Sequence, residues 1–342
     1  MDKPLVSVVI VNWNGEAILQ ECLFSLFTQD YRNIQVIVLD NNSTDKSKDI
    51  IKNFKKAEFI ESDKNLGFAE GNNVASGKAK GEYVLLLNND TIVTKNFLKD
   101  LVAILKKDKD IGIVQPKILY KRNSSYKDST INSIGAFFTS TGFLYYPGYG
   151  KKSDLPMYNK ENEIFSAYGA CMLIRKKLID KIGLFDSDFF LYFEETDFCL
   201  RAHLAGYKVI YTPGSLIYHK GGVSARKFGI ENIFFHSFKN RISSYIKNFE
   251  VKTLIIILPL HLLICESTAV IYLFTGRIRL FLAIQKAIFW NLINLPKTLE
   301  KRNIVQKKIR KVKDSMFLSK ISKSPRLSYY LYLFKGLEYY ND

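Results

Sequence analysis

Four apolar runs near the N-terminus constrain the fold most tightly: "LVSVVIV" at 5–11, "IQVIVLD" at 34–40, "AEFIES" at 57–62 and "YVLLL" at 83–87. Runs with little polar alternation suit strands covered on both faces of a parallel sheet. Between the first two, Ile18, Leu19, Cys22, Leu23, Leu26 and Phe27 recur as one face of a helix. After the second, Ser43 or Thr44 can cap a helix through "DKSKDIIKNF". Strand alternating with helix implies an α/β fold with a mostly parallel central sheet. Three of the runs stop on polar clusters, "NWNG", "DNNSTD" and "NND". In open α/β sheets, ligands bind outside the carboxyl ends of the strands.

From about residue 110 to 165 the pattern loosens. "SSYKDST" reads as a polar loop, and "GAFFTSTGFLYYPGYG" as an aromatic segment suited to covering a cleft. Order returns with a strand around 168–174, a helix from Glu195 to Leu204, and "YKVIYTP", a last strand closing at Pro213 and Gly214. The composition then divides the chain into a catalytic domain, 1–245, and a hydrophobic, basic helical region, 246–342. "TLIIILPLHLLIC", 253–265, has no charged residue, and "STAVIYLFTG" follows it after Glu266. Neither run reaches the roughly eighteen residues of an unambiguous spanning helix, and a single span would have to accommodate Glu266. Two hydrophobic helices in or dipping into the interface fit better. The alternative is a helical pair that forms a homo-oligomer.

Net charge is +17 over 342 residues, which favours an anionic partner. Residues 297–326 carry eleven basic and two acidic side chains, so most of the excess adjoins the hydrophobic segment. That placement points to anionic headgroups rather than to nucleic acid. The four cysteines are scattered, without zinc spacing, and fit a reducing compartment. The N-terminal apolar run is too short for a signal peptide, and the expected location is the cytoplasmic face of the cell membrane.

Asp40 can accept a hydrogen bond from a base or sugar hydroxyl. In "DKNLGFAEGNN", Gly67 and Gly71 permit close backbone approach, while Asn65 and Asn72 offer amides. Neither a GxGxxG nor a GxxxxGK[ST] motif is present, which removes most support for dinucleotide oxidoreductases, triphosphatases and nucleotidyltransferases. Asp90 ends the fourth run and suits a turn or a metal bound to phosphate. "FEETDFCLR" gathers Glu194, Glu195 and Asp197 at a helix start, where they can serve chemistry or only complement the dipole. Asp197 and Arg201, four apart, can form an orienting ion pair.

Taken in order, "VSVVIVNWNG", "VIVLDNNSTDKS", "NLGFAEGNN", "LLLNNDT", "GACMLIRKKLIDKIGLFDSDFFLYFEETDFCLR" and "HLAGYKVIYTPGSLIYHKGG" resemble the motifs of family 2 inverting glycosyltransferases with the GT-A fold. The nearest likeness is to the rhamnosyltransferase-like branch, over roughly residues 5–225. The resemblance implies a nucleotide-diphosphate sugar donor (dTDP-rhamnose, a UDP-sugar or a GDP-sugar) and a glycan or lipid-linked acceptor. It places Val11, Asn12 and Asp40 at the nucleotide, with Asn65, Gly67, Asn72, Asn89 and Arg201 around the donor. "NND" takes the place of the DXD metal motif, with Asn88 for the first carboxylate. Asp90 and His219 would then hold Mg²⁺ or Mn²⁺ largely through diphosphate and water. Glu195 takes the place of the base, with Glu194 its rival and Asp197 beside them. Lys220 and Arg226 would supply positive charge, Trp13 would stack or pack, and His203 would be structural. The competing reading is a non-catalytic carbohydrate-binding or scaffold protein on the same fold.

Overall fold

The computed structural model describes residues 3–120, 129–221 and 228–335. The first half is a strand–helix alternation: β1 (Val6–Asn12), α1 (Leu19–Thr28), β2 (Ile34–Asp40), α2 (Ser47–Asn53), β3 (Ala57–Glu61), α3 (Gly67–Ser76) and β4 (Tyr83–Leu87). β1 lies parallel to both β2 and β4, with Val8 opposite Val36 on one side and Leu85 on the other. β3 extends the edge in parallel. Val6, Val8, Val9 and Ile10 are fully buried, as a strand covered by helices on both faces requires. α1 buries Leu19, Cys22, Leu23 and Leu26, the face expected from their spacing. α2 starts later than expected, at Ser47, with no side-chain cap. Ser43 and Thr44 bond the β1 loop instead, because left-handed Asn14 brings that loop within reach. Ser43 Oγ accepts from the Asn14 N–H at 2.9 Å, and the Thr44 N–H donates to Asn14 Oδ1 at 2.8 Å.

The second half continues with β5 (Thr91–Val93), α4 (Phe97–Lys107), β6 (Ile111–Tyr120), β7 (Ile131–Ser133), β8 (Phe137–Phe138), β9 (Leu144–Tyr145), β10 (Asn162–Glu163), β11 (Cys171–Arg175), α5 (Lys176–Ile182), α6 (Glu194–Leu204) and β12 (Lys208–His219). The main sheet runs in the order β10-β12-β6-β11-β4-β1-β2-β3, with β5 on β12 and β7 on β6. Two expectations are corrected here. The loosened stretch begins with a ten-residue central strand, β6, whose polar members are buried and satisfied. Gln115 bonds Ser133 and the Tyr168 N–H, and Lys117 donates to Asn159 at 2.7 Å. Likewise β12 does not close at Pro213. It absorbs Pro213 and Gly214 in a shift of register against β6 and ends on His219.

C-terminal helices follow, packed on α6 and on one another: α7 (Ile230–Asn248), α8 (Val251–Phe274), α9 (Ile278–Ile293), α10 (Leu295–Ile304) and α11 (Asp314–Ile321). α7 touches α6, α8, α9 and α10, and the expected domain boundary at 245/246 falls inside it. α8 is continuous over 24 residues, and by length and composition it is long and apolar enough to cross a membrane. Glu266 lies within it, and Gln285 of α9 donates to its carboxylate at 2.7 Å. One side of α8 is packed through Ile257, His261, Cys265 and Ala269, while Ile255, Ile256 and Leu263 stand exposed. The aromatic segment 137–149, expected as a cleft cover, is mostly core. Phe138 packs on Phe165, Tyr245 and Phe249, and Phe143 packs on Phe238, joining the sheet to the C-terminal helices.

Candidate active site

The carboxyl ends of β1, β2 and β4 are tied together by short polar side chains. Buried Asn12 donates to Asp40 Oδ1 at 3.2 Å and to Ser43 Oγ at 3.3 Å, and its own Oδ1 accepts from Asn89 at 2.7 Å. Asp40 Oδ2 accepts from the Ser43 N–H at 2.9 Å. Asp40 is fully buried, so both its oxygens organise the floor from within. Gly15 lies under the Asn12–Asn89 bridge, where a Cβ would stand 2.1 Å from Asn12 Oδ1. No side chain fits there.

Asn41 extends this floor. It donates to Asn65 Oδ1 and to the Gly67 carbonyl at 3.0 Å each, and accepts from the Leu66 N–H at 2.7 Å. Gly67 sits at φ 74°, and a Cβ there would meet the Phe190 carbonyl at 2.5 Å. Gly71 lets α3 close on Val11, whose Cγ1 a Cβ would approach to 3.0 Å. Asn72 is turned inward and donates to the Phe68 carbonyl at 2.8 Å, which makes it a support of α3 rather than an amide offered to a ligand.

Asp90 follows β4 and meets His219 at the end of β12, with Oδ1 3.0 Å from Nε2. Nδ1 of the same ring lies 2.7 Å from Asn132 Oδ1, an arrangement that calls for the proton on Nδ1. The Nε2 lone pair of the neutral ring then faces a carboxylate oxygen that lacks any hydrogen-bond donor. Two such acceptors are completed by a cation, either a proton that makes the imidazolium or a divalent metal. Burial works against charge on Asp90, but His219 in its imidazolium form, with the backbone N–H groups of Asp90 and Gly221, outweighs it and holds the carboxyl below its usual range. Among the described residues no cluster of three His, Cys, Asp or Glu exists, so a metal here would take the rest of its shell from ligand and water. Lys220 is turned to Glu21 at 2.8 Å, away from the role expected for it. Arg226 lies outside the described residues.

Tyr168 connects this end to the second carboxylate cluster. Its ring stands edge-on to His219, with centroids 6.0 Å apart, and at the next residue a Cβ on Gly169 would lie 3.8 Å from the Glu195 carboxyl carbon. Glu195 leads α6 next to Glu194, and each has an Oε2 buried without a partner. Burial pushes the Glu195 carboxyl up to about 7, opposed only by the N–H groups of Glu195 and Thr196. Glu194 is pushed well above its usual range by burial and then by the charge of Glu195. A carboxyl near neutrality is suited to taking a proton at physiological pH. The helix enters from a strained turn: Phe190, Tyr192 and Phe193 have φ of 57, 66 and 72°. For non-glycine residues each costs on the order of 1–3 kcal/mol.

Asp197 and Arg201 do form the expected ion pair, at 2.9 Å, but they point away from the site. Asp197 is saturated by Arg201, Lys247, Ser244 and Asn248. Arg201 also donates to the carbonyls of Ile182, Gly183 and Leu184, closing the end of α5. Neither is placed to touch a substrate, because Asp197 faces α7 and Arg201 faces the end of α5. His203 is structural, as expected: it is buried, bonds the Phe165 carbonyl at 3.0 Å and stacks on Phe317. Trp13 is half-buried. Sequence reasoning missed Gly15, Asn41, Asn132 and Tyr168. Asn41 was visible inside "DNNSTD" and Gly15 inside "NWNG", whereas Asn132 and Tyr168 become meaningful only once the sheet brings their neighbours together.

The model of the glycosyl transferase family 2 matches residues 7–183, just over half of the chain. The chain belongs to glycosyl transferase family 2. Among curated relatives in or near this family is the low-salt glycan biosynthesis hexosyltransferase Agl10 of Haloferax volcanii, 28% identical over 202 residues, 58% of this chain and 61% of that protein. The chain spans between 25% and 61% of the length of the first curated relatives it matches. Two solved structures share the GT-A fold of the family 2 chain. GalNAc-T7 with UDP, GalNAc and Mn²⁺ has a TM-score of 0.58 and 17% identity, covering 73% of this chain and 49% of that one. The mannosyltransferase PcManGT of Pyrobaculum calidifontis, in complex with GDP-Man and Mn²⁺, has a TM-score of 0.54 and 15% identity, covering 90% and 84%.

Proposed function

We propose that this protein is an inverting glycosyltransferase acting in cell-surface glycan synthesis. It moves a sugar from a nucleotide-diphosphate sugar to a hydroxyl of a glycan or polyprenyl-linked acceptor. One observation carries the reading: a cation-accepting pair, Asp90–His219, and a buried carboxyl near neutrality, Glu195, meet the same short stretch, Tyr168 standing edge-on to His219 and Gly169 lying against the Glu195 carboxyl. A purely carbohydrate-binding protein has no use for the second.

Asp90 and His219 fit a divalent ion, Mg²⁺ or Mn²⁺, which when bound supplies positive charge to the donor diphosphate. Glu195 takes the proton of the acceptor hydroxyl as that oxygen attacks the anomeric carbon. The bond from that carbon to the diphosphate oxygen breaks, and the nucleoside diphosphate leaves with the electron pair. Attack opposite the leaving group inverts the anomeric centre. Asn12, Asp40 and Asn41 keep the floor beneath the nucleotide in shape. dTDP-rhamnose is the leading donor by resemblance, with UDP- and GDP-sugars beside it. Likeness to a glycan biosynthesis hexosyltransferase supports the glycan acceptor.

The exposed apolar side of α8 and the basic segment 297–326 support attachment to the cytoplasmic face of the membrane. Recovery of the full chain in a salt-washed, detergent-free soluble fraction would contradict attachment. The transfer reading is tested with UDP-, GDP- and dTDP-sugars and a polyprenyl diphosphate sugar acceptor, reading glycoside formation and product anomer by NMR. An inverted product from one donor is expected. A retained anomer would overturn the mechanism, and no product from any donor would overturn the activity.

A further inference from the structure

The turn that delivers Glu194 and Glu195 to the site does not hold itself. Phe190, Tyr192 and Phe193 all lie at positive φ, and no glycine relieves them. Two neighbours take up its carbonyls. On the donor side, the Phe190 carbonyl accepts from the Phe68 N–H at 2.7 Å and the Ala69 N–H at 3.1 Å, at the start of α3. From the opposite side, Asn240 of α7, fully buried, points one amide nitrogen at three carbonyls. Its Nδ2 lies 2.9 Å from Phe189 O, 2.9 Å from Leu191 O and 2.6 Å from Tyr192 O. Lys239 adds a bond to the Asp188 carbonyl at 2.7 Å.

We infer that Asn240 is the positioning residue of the base, fixing through these three carbonyls the strained turn from which Glu195 enters the site. The inference rests on the reading of Glu195 as base. Asn240 touches no reacting atom. Its amide reaches the carbonyls of Leu191 and Tyr192, and shares that of Phe189 with the His236 ring. Phe190, Tyr192 and Phe193, all at positive φ, each have an extended or right-handed alternative, and the turn relaxes toward it once the carbonyls of Phe189, Leu191 and Tyr192 lose the Asn240 donor. Glu195 then swings toward solvent. The titratable groups around it are Glu194 and Tyr192 on its own segment, Tyr146 and Tyr168 across the cleft, and Cys199 one turn on. None is a cation that would hold the carboxylate in place.

The test compares Asn240→Ala, Asn240→Ser and Glu195→Gln with the unaltered full chain in detergent. Nucleoside diphosphate release is followed across pH, using whichever of UDP-glucose, UDP-N-acetylglucosamine, GDP-mannose or dTDP-rhamnose turns over. Asn240→Ala should lower kcat per folded molecule by about tenfold to a hundredfold, with the donor KM changed less than about twofold. Its acid limb should move from near 7 toward the ordinary carboxylate range, and Asn240→Ser should recover part of the rate. A purely structural asparagine would lower the folded fraction and leave the limb in place, and that result overturns the inference. Should Asn240→Ala not fold, Asn240→Ser is judged by the same limb. If Glu195→Gln retains turnover, the base reading falls and takes the inference with it. If Glu195→Gln is inactive while the Asn240 variants keep both rate and limb, the inference alone fails.

Discussion

Replacing Glu195 by glutamine should make this protein more stable at pH 8 while leaving stability at pH 4 almost unchanged. The carboxyl is raised from the ordinary 4.5 to about 7 because burial disfavours its charge. Between those values the native state holds a proton that the unfolded chain has released. Native stability therefore falls as pH rises through this window and stays lowered above it. A shift of this size corresponds to roughly 3 kcal/mol at pH 8 and close to zero at pH 4. Glutamine carries no charge to desolvate, so it recovers most of that difference. The assay is chemical denaturation of both proteins in detergent at the two pH values, followed by tryptophan fluorescence, and it needs no knowledge of the substrate. Equal stability of the two proteins at pH 8, or a gain of the same size at pH 4, would refute the argument that Glu195 is a strained, desolvated carboxyl.

Three further perturbations follow from the geometry. Asp90→Ala should abolish Mn²⁺-dependent binding of UDP or GDP measured by calorimetry, leaving the melting temperature within a few degrees; metal-dependent binding of the same strength would remove Asp90 from the cation site. Gly15→Ala should destabilise the fold by roughly 1–3 kcal/mol in denaturant titrations, because its Cβ displaces Asn12 from Asn89 and leaves buried amides unpaired. Asp197→Ala should cost about 3–5 kcal/mol, because Lys247 and Arg201 lose a shared buried partner. A neutral result there would mean that the network is not formed.

What the sequence made legible is what local pattern controls. β1, β2 and β4 announce themselves because strands covered on both faces need unbroken apolar runs, and their polar ends mark the ligand side of the sheet. β6 hid because Gln115, Pro116 and Lys117 break its run. Only tertiary partners such as Ser133 and Asn159 make those polar groups acceptable inside. β12 looked finished at Pro213 because a proline lacks the ladder donor, yet a register shift accommodates it. The Asp197–Arg201 pair was readable from four-residue spacing. Which way the pair faces was not, since that depends on α7. Asn240 had a faint signal: Lys239, Asn240, Ser243, Ser244, Lys247 and Asn248 repeat with helical period as a polar stripe. Such a stripe usually means solvent, whereas here it is buried against α6 and the turn before it. Glu266 likewise argued against a single span, because local pattern did not show the partner that Gln285 supplies.

The central claim, that Glu195 is the base while Asp90 and His219 serve the donor, is tested most directly by Glu195→Gln. Its turnover and its Mn²⁺-dependent binding of the active nucleotide sugar are measured on one preparation. The account predicts binding within about twofold of the unaltered chain and turnover lowered by at least about a thousandfold. Turnover close to that of the unaltered chain, with binding intact, would contradict it.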